Sequence, residues 1–165
     1  MDFEQLFRRL YPSLFRYLHR LTGDPDAADD IAQESFARLL RQPLPDGEAK
    51  PWLFTVATNL VRDAARKTAR RERILASVRP TSPAPITPDV SAERSERIAF
   101  VREALAQLSE RDRTLLLMRG EGFTYEEMAR AVGVSPASIG TLLARALRRF
   151  SAVYRLQEVA DEPHP

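Results

Sequence analysis

The side chains that could do chemistry in this chain are charged groups rather than nucleophiles or metal ligands. The sequence has no Cys, and its two His residues, His19 and His164, lie far apart, so we expect no thiolate or histidine metal site. An enzyme such as a recombinase or nuclease would need a nucleophile or a convergent set of carboxylates, and neither is visible. The chemistry that remains is electrostatic, and we expect no enzyme and no cofactor.

One group of acids is the remaining candidate for a metal site. These acids lie at the start of a predicted helix over residues 26–41: Asp26, Asp29, Asp30 and Glu34. Hard cations need converging oxygen ligands, whereas acids in the first turns and arginines in the last turn of a helix are already explained by the helix dipole. We therefore expect no bound metal, and two uses of this face stay open: a solvated surface or a docking surface for another protein.

Residues 124–150 show the clearest structural pattern in the sequence, which predicts a helix-turn-helix. Thr124 and Glu127 have the spacing of a capping box, and Gly133 can end the first helix in the left-handed conformation. Ser135 and Pro136 then begin a second helix to about residue 151. Its predicted apolar stripe is Ile139, Leu142, Leu143, Ala146, Leu147 and Phe150. The exposed side is basic and carries no acid, which favours DNA binding over a structural αα-corner.

A second basic surface lies on a long predicted helix from Trp52 to about Ser77. Its apolar side begins with Trp52, which we assign to the core. Its outer side is dense in cations: Arg62, Arg66, Lys67, Arg70, Arg71 and Arg73. Positions 62, 66, 70 and 73 share one side of a helix. A solvated cationic face is the alternative, but this density favours contact with phosphates.

The elements that position these surfaces are all predicted to be helical. Residues 2–22 form an amphipathic helix that is bent or interrupted near Pro12, and residues 42–51, with three prolines and a glycine, form a loop. Helices over residues 91–108 and 109–119 complete a four-helix second domain with the helix-turn-helix. The proline-rich residues 79–90 read as an extended linker.

The fold class is thus all-α, with two small helical domains, residues 1–78 and 91–156, and a frayed acidic tail, residues 157–165. The net charge of +2 hides two basic blocks that are separated by acidic ones. No apolar run approaches the roughly 20 residues that span a bilayer, and the N-terminus lacks a signal-peptide core. We expect no membrane insertion and a cytoplasmic location.

Three segments resemble, in order, the conserved parts of the sigma-70 class of bacterial transcription initiation factors. DAADDIAQESFARLLR is similar to the core-polymerase-binding segment, PWLFTVATNLVRDAARKTARR to the melting and −10 segment, and LSERDRTLLLMRGEGFTYEEMARAVGVSPASIGTLLARALRR to the −35-binding region. The resemblance covers nearly the whole chain. The length and the two-domain layout point to the small extracytoplasmic-function group.

The resemblance implies a role for each surface. The acidic helix would dock on the clamp coiled coil of the large subunit of core RNA polymerase through Asp29, Asp30, Gln33, Glu34 and Phe36. Promoter DNA at the −10 element would be held by Asn59, Arg62, Asp63, Arg66, Lys67 and Arg70, with the loop 42–50 capturing a flipped base. The −35 element would be bound by Ser135, Pro136, Ser138, Thr141, Arg145, Arg148 and Arg149. An anti-sigma protein is a further candidate partner.

The recognition helix departs from the usual pattern of this group. Gly140 stands where a basic residue is common, and Leu142 where an arginine is common. Without these cations the first turns cannot make the commonest bidentate contacts to guanine. We expect readout by Ser138, Thr141, backbone and DNA shape, with Gly140 permitting a close approach of the backbone to DNA or protein. A DNA-binding adaptor that does not support initiation is the alternative function.

Overall fold

The computed structural model describes residues 2–75 and 92–161, which divide into two compact units. The described residues form seven α-helices and no strand, so the predicted all-α class is confirmed. The predicted linker, residues 79–90, and the end of the predicted tail, residues 162–165, lie outside the described residues.

The first unit contains three helices, α1 (Phe3–Thr22), α2 (Pro25–Leu39) and α3 (Ala49–Ile74), with a short 3₁₀ turn, Asp46–Glu48, before α3. The side chain of Asp2 accepts hydrogen bonds from the first turn of α1, and Gly23 ends that helix at φ 73°. Asp24 caps α2 in the same way. These local signals fix a sharp turn between α1 and α2, and the two helices pack closely.

Two prolines are placed differently from the prediction. Helix α1 continues through Pro12, so the predicted interruption is wrong: the buried leucines on either side hold both halves against one core. Pro51 was predicted to lie in a loop but is the third residue of α3. A proline is tolerated there because the N–H groups of the first turn have no partner within the helix.

The core of the first unit is built from all three helices. Its centre is Tyr17, whose ring lies 5.2 Å from that of Phe54 and whose hydroxyl is 2.7 Å from Thr58 Oγ1; all three residues are buried. Trp52, assigned to the core, is only half-buried. Leu40, at the end of α2, is exposed because the chain leaves the helix there.

The second unit contains α4 (Ala92–Ala106), α5 (Glu110–Gly120), α6 (Tyr125–Val132) and α7 (Pro136–Asp161). The predicted four-helix domain is confirmed, but α7 is longer than predicted and includes the residues 157–161 of the predicted frayed tail. Helix α4 supports this extension, since the Phe100 and Tyr154 rings meet edge to face at 5.0 Å. Leu147, predicted to lie on the apolar stripe of α7, is exposed, and so is Ile98 on α4.

Candidate nucleic-acid and protein interfaces

The acidic surface of α2 consists of Asp29, Asp30, Gln33 and Glu34, which the helical period brings to one side. Asp30, Gln33 and Glu34 are exposed, and Asp29 is half-buried. Glu34 accepts a hydrogen bond from Arg38 Nε at 2.8 Å, one turn further along the same helix. This pair is half exposed and adds little stability, so Glu34 can exchange Arg38 for a cation on a partner.

Asp29 differs from its neighbours because both of its oxygens are occupied. The Tyr11 hydroxyl on α1 donates a hydrogen bond to Oδ1, and Gln33 Nε2 donates to Oδ2 at 2.9 Å. This hydrogen bond to Asp29, with burial and the carboxylate charge, raises the pKa of Tyr11 to about 12. Asp29 therefore ties α2 to α1, and Asp30 and Glu34 are the acids that face outward.

The sequence did not single out Tyr11. Its only signal was its place, four residues after Phe7 and four before Phe15, on a ladder of rings along α1. Phe36, grouped with the polymerase-binding residues, is 2% exposed and packs on this ladder, with its ring 4.7 Å from that of Phe7. Phe36 therefore packs α2 against α1 on the buried side of α2 and does not contribute to the acidic surface.

The basic surface of α3 consists of Arg62, Arg66, Arg70 and Arg73, with Lys67 beside them. Every residue from Asp63 to Leu75 is exposed. Arg62 is half-buried where the helix leaves the core. Arg66, Lys67 and Arg70 form no ion pair with any described residue. The result is an exposed stretch of helix that is rich in positive charge, on which Asn59 and Asp63 are also exposed.

The helix-turn-helix is formed by α6 and α7, as predicted. Both hydrogen bonds of the capping box are present: Glu127 N donates to Thr124 Oγ1 at 3.2 Å, and Thr124 N donates to the Glu127 carboxylate at 2.8 Å. Gly133 ends α6 at φ 72°. Pro136 is the first residue of α7, and the buried Ile139 fixes the rotation of this helix on the core.

The predicted DNA-contact residues of this unit fall into three groups. Pro136, Thr141, Arg145 and Arg148 are exposed on α7. Ser135 and Ser138 share a hydrogen bond of 2.9 Å between their hydroxyls, at the N-terminus of α7. Arg149 stands apart, because its Nη1 donates to Oδ2 of Asp112 on α5, a carboxylate that is 1% exposed. The structure thus places Arg149 in a clasp between α5 and α7, although the sequence grouped it with the phosphate contacts.

Removing Arg149 should destabilise the second unit. In R149A the buried Asp112 carboxylate would lose the cation that it binds, and its other oxygen has no hydrogen-bond partner among the described residues. We expect a loss of about 2 kcal/mol in the free energy of unfolding, reduced from the value for a fully buried pair because the Arg149 side chain is half exposed. Urea unfolding of R149A, with R148A as the control on the same helix, measures this. Equal stability of the two variants would contradict the clasp.

Gly140 is half-buried in the second turn of α7. A Cβ built there would lie 3.6 Å from Tyr125 Cε2 on α6, an ordinary van der Waals contact, and the glycine has no positive φ. The Tyr125 ring therefore leaves room for a methyl group at position 140, and the close approach of this backbone to DNA or to another protein stays a prediction.

Because an alanine fits at this position, G140A should stabilise the second unit by about 1 kcal/mol, the cost of a glycine within a helix relative to alanine. Thermal unfolding of the wild-type protein and G140A checks this prediction. A lower melting temperature for G140A would mean that the Tyr125 contact is tighter than its geometry indicates.

No group of three or more metal-binding side chains occurs in residues 2–75 and 92–161. In the same ranges, no helix is both long enough and apolar enough to cross a membrane.

Comparison with known families finds two matches, one in each unit. The family described as Sigma-70 region 2 matches residues 6–71, and the family described as Sigma-70, region 4 matches residues 101–150. The first match contains α2 and the basic part of α3, and the second contains the helix-turn-helix.

The chain is similar to bacterial sigma factors over most of its own length and of theirs. The chain is 32% identical to the ECF RNA polymerase sigma factor SigL of Mycobacterium tuberculosis, over 87% of this chain and 85% of that protein. It is 30% identical to the RNA polymerase sigma factor CarQ of Myxococcus xanthus, over 97% of this chain and 90% of that protein. Among solved structures, the sigma factor RpoE of Bartonella quintana, determined in complex with the anti-sigma factor NepR, shares the fold with a TM-score of 0.76 at 24% identity, covering 93% of this chain and 97% of that one.

Proposed function

The chain belongs to the extracytoplasmic-function group of the sigma-70 family of RNA polymerase sigma factors, and from this membership we propose how its surfaces divide the work of initiation. As a transcription initiation factor it binds core RNA polymerase and directs it to promoters. Residues 1–78 would dock on the polymerase and hold the −10 element, and residues 91–156 would bind the −35 element. The factor would act in the cytoplasm and leave RNA synthesis to its partner.

The acidic surface of α2 is the proposed polymerase-docking site, with the clamp coiled coil of the large subunit as its target. The observation that supports this proposal is that the acids differ in their surroundings. Asp29 is held by hydrogen bonds from Tyr11 and Gln33, while Asp30 and Glu34 face solvent. An interface needs both a rigid support and charges that can pair with a partner. Phe36 supplies part of the support through its packing on α1.

The basic surface of α3 is the proposed −10 site. Most of its cations are exposed along one side of a helix that extends beyond the core, so they can follow a strand whose bases are unpaired. Opening the duplex costs stacking energy, which must be recovered by binding unpaired bases and strand phosphates. The loop before α3, with the half-buried Trp52 nearby in sequence, is the proposed place for a flipped base.

In the second unit, the proposed −35 site is the exposed side of α7. Thr141 and Ser138 would face the bases, and Arg145 and Arg148 the phosphates. Arg149 is assigned to the clasp with Asp112, which holds α7 in place on α5. An anti-sigma protein that binds this chain stays a prediction. No observation favours the alternative of an adaptor that does not support initiation.

The whole proposal is tested by mixing the purified protein with bacterial core RNA polymerase in a pull-down assay. A stoichiometric complex that selects specific promoter sequences from a random DNA pool is the expected result. A folded protein that forms no complex would refute it.

A further inference from the structure

The carboxylate of Asp29, on the acidic surface of α2, is held by donors from its own domain. The Tyr11 hydroxyl on α1 donates to Oδ1, and Gln33 Nε2 donates to Oδ2 at 2.9 Å. Tyr11 is itself half-buried in the ladder of rings along α1, where its ring stacks on that of Phe7 at 4.9 Å. The stacked ring and the hydrogen bond together fix the Asp29 carboxylate relative to both helices.

The pairing with Asp29 determines which way the Gln33 amide points. A carboxylate only accepts hydrogen bonds, so the group that Gln33 turns toward Asp29 must be its NH₂. The two residues are four apart on α2, which is the spacing at which glutamine and aspartate pair on a helix. The carbonyl oxygen Oε1 of Gln33 is thereby left for another donor. No described residue donates a hydrogen bond to it, and Gln33 is exposed.

We propose that Asp29 is a positioning residue, which Tyr11 holds in place and which presents the Gln33 carbonyl oxygen as an acceptor for core RNA polymerase. This inference rests on the proposed docking function of the acidic surface. The exposed carboxylates of Asp30 and Glu34 are acceptors as well, so the three side chains match a partner that supplies donors. An NH₂ group turned outward would instead oppose those donors and be left unpaired.

The arrangement predicts that substitutions at Asp29 and Gln33 are coupled. Q33M removes the acceptor, so the affinity for core polymerase should fall about tenfold, as for one hydrogen bond to a charged group. D29A leaves the Gln33 amide free to turn, so affinity should fall about three- to tenfold, the cost of ordering one long side chain at an interface. In D29A/Q33M the loss should equal that of Q33M alone, because Asp29 acts through Gln33.

The affinity experiment titrates the full-length wild-type protein and these three variants with core RNA polymerase. Q5M is the matched control, because it makes the same substitution at an exposed glutamine on α1, outside the acidic surface. This control should bind like the wild-type protein. Helical circular dichroism checks that every variant is folded.

A second measurement observes the Gln33 amide without polymerase. In ¹⁵N NMR relaxation, the side-chain NH₂ of Gln33 should be restricted on the ps–ns timescale in the wild-type protein, and the NH₂ of Gln5 serves as the mobile reference. The motion of the Gln33 NH₂ should increase in D29A. It should also increase in Y11F, which changes no charge and removes only the hydroxyl that holds Asp29.

Each outcome decides a different point. Losses that add in D29A/Q33M would overturn the inference, because Asp29 would then contact the polymerase itself or act through its charge. Wild-type affinity of Q33M would show that the carbonyl oxygen is not an acceptor at the interface. A Gln33 NH₂ as mobile as that of Gln5 in the wild-type protein would refute the positioning by Asp29. If the wild-type protein forms no complex with polymerase, the proposed docking function itself fails, and this result is recognised without any variant.

Discussion

Binding to core RNA polymerase should be lost when the charges of Asp30 and Glu34 are reversed. In the D30K/E34K double variant, two exposed acids on α2 become cations, which would repel the basic groups expected on the proposed polymerase surface. Opposed like charges at an interface cost several kcal/mol, so we expect binding at least about a hundredfold weaker than in the wild-type protein. A titration of labelled protein with core polymerase measures this effect.

The fold should survive this change. Neither side chain is in the core, and the pair of Glu34 with Arg38 is half exposed, so its loss costs only a few tenths of a kcal/mol. The matched control is E4K, which breaks the equivalent pair of Glu4 with Arg8 on α1. Helical circular dichroism with wild-type amplitude shows that the variants are folded. Polymerase binding by D30K/E34K at the wild-type affinity would remove this surface from the interface.

Promoter complexes should weaken by about ten- to a hundredfold in R66A/R70A. Both side chains are exposed one turn apart on α3 and have no ion-pair partner among the described residues, so their loss removes charge without disturbing the core. Two lost phosphate contacts should also flatten the plot of log affinity against log salt, by about 1.4 for single-stranded and about 1.8 for duplex DNA. The two values distinguish contact with a melted strand from contact with the duplex.

The control for this prediction is R94A/R97A, which removes two exposed arginines one turn apart from α4. This variant should keep the wild-type slope, because α4 carries none of the proposed DNA contacts. An unaltered slope for R66A/R70A would exclude this surface from the DNA interface. A lower affinity with an unaltered slope would instead indicate an indirect effect on polymerase binding.

The sequence alone determined the features that depend on neighbours within one or two turns. The capping box of Thr124 with Glu127, the left-handed Gly133 and the start of α7 at Pro136 were all predicted, because each depends on residues three or four apart along the chain. The all-α class followed from helical periodicity in the same way. The family resemblance gave the function of the chain, which the similar proteins confirm.

Only the tertiary structure decided which of the predicted residues also have partners within their own domain. Asp29 is held by Tyr11, 18 residues away, and Arg149 by Asp112, 37 residues away, so both make a contact that their position in the sequence does not indicate, and their contacts with polymerase and DNA stay predictions. Tyr125 meets Gly140 across the turn between two helices. Periodicity shows which side of a helix is polar, but the partner of a polar group on another helix depends on how the helices pack, and this is a property of the folded domain.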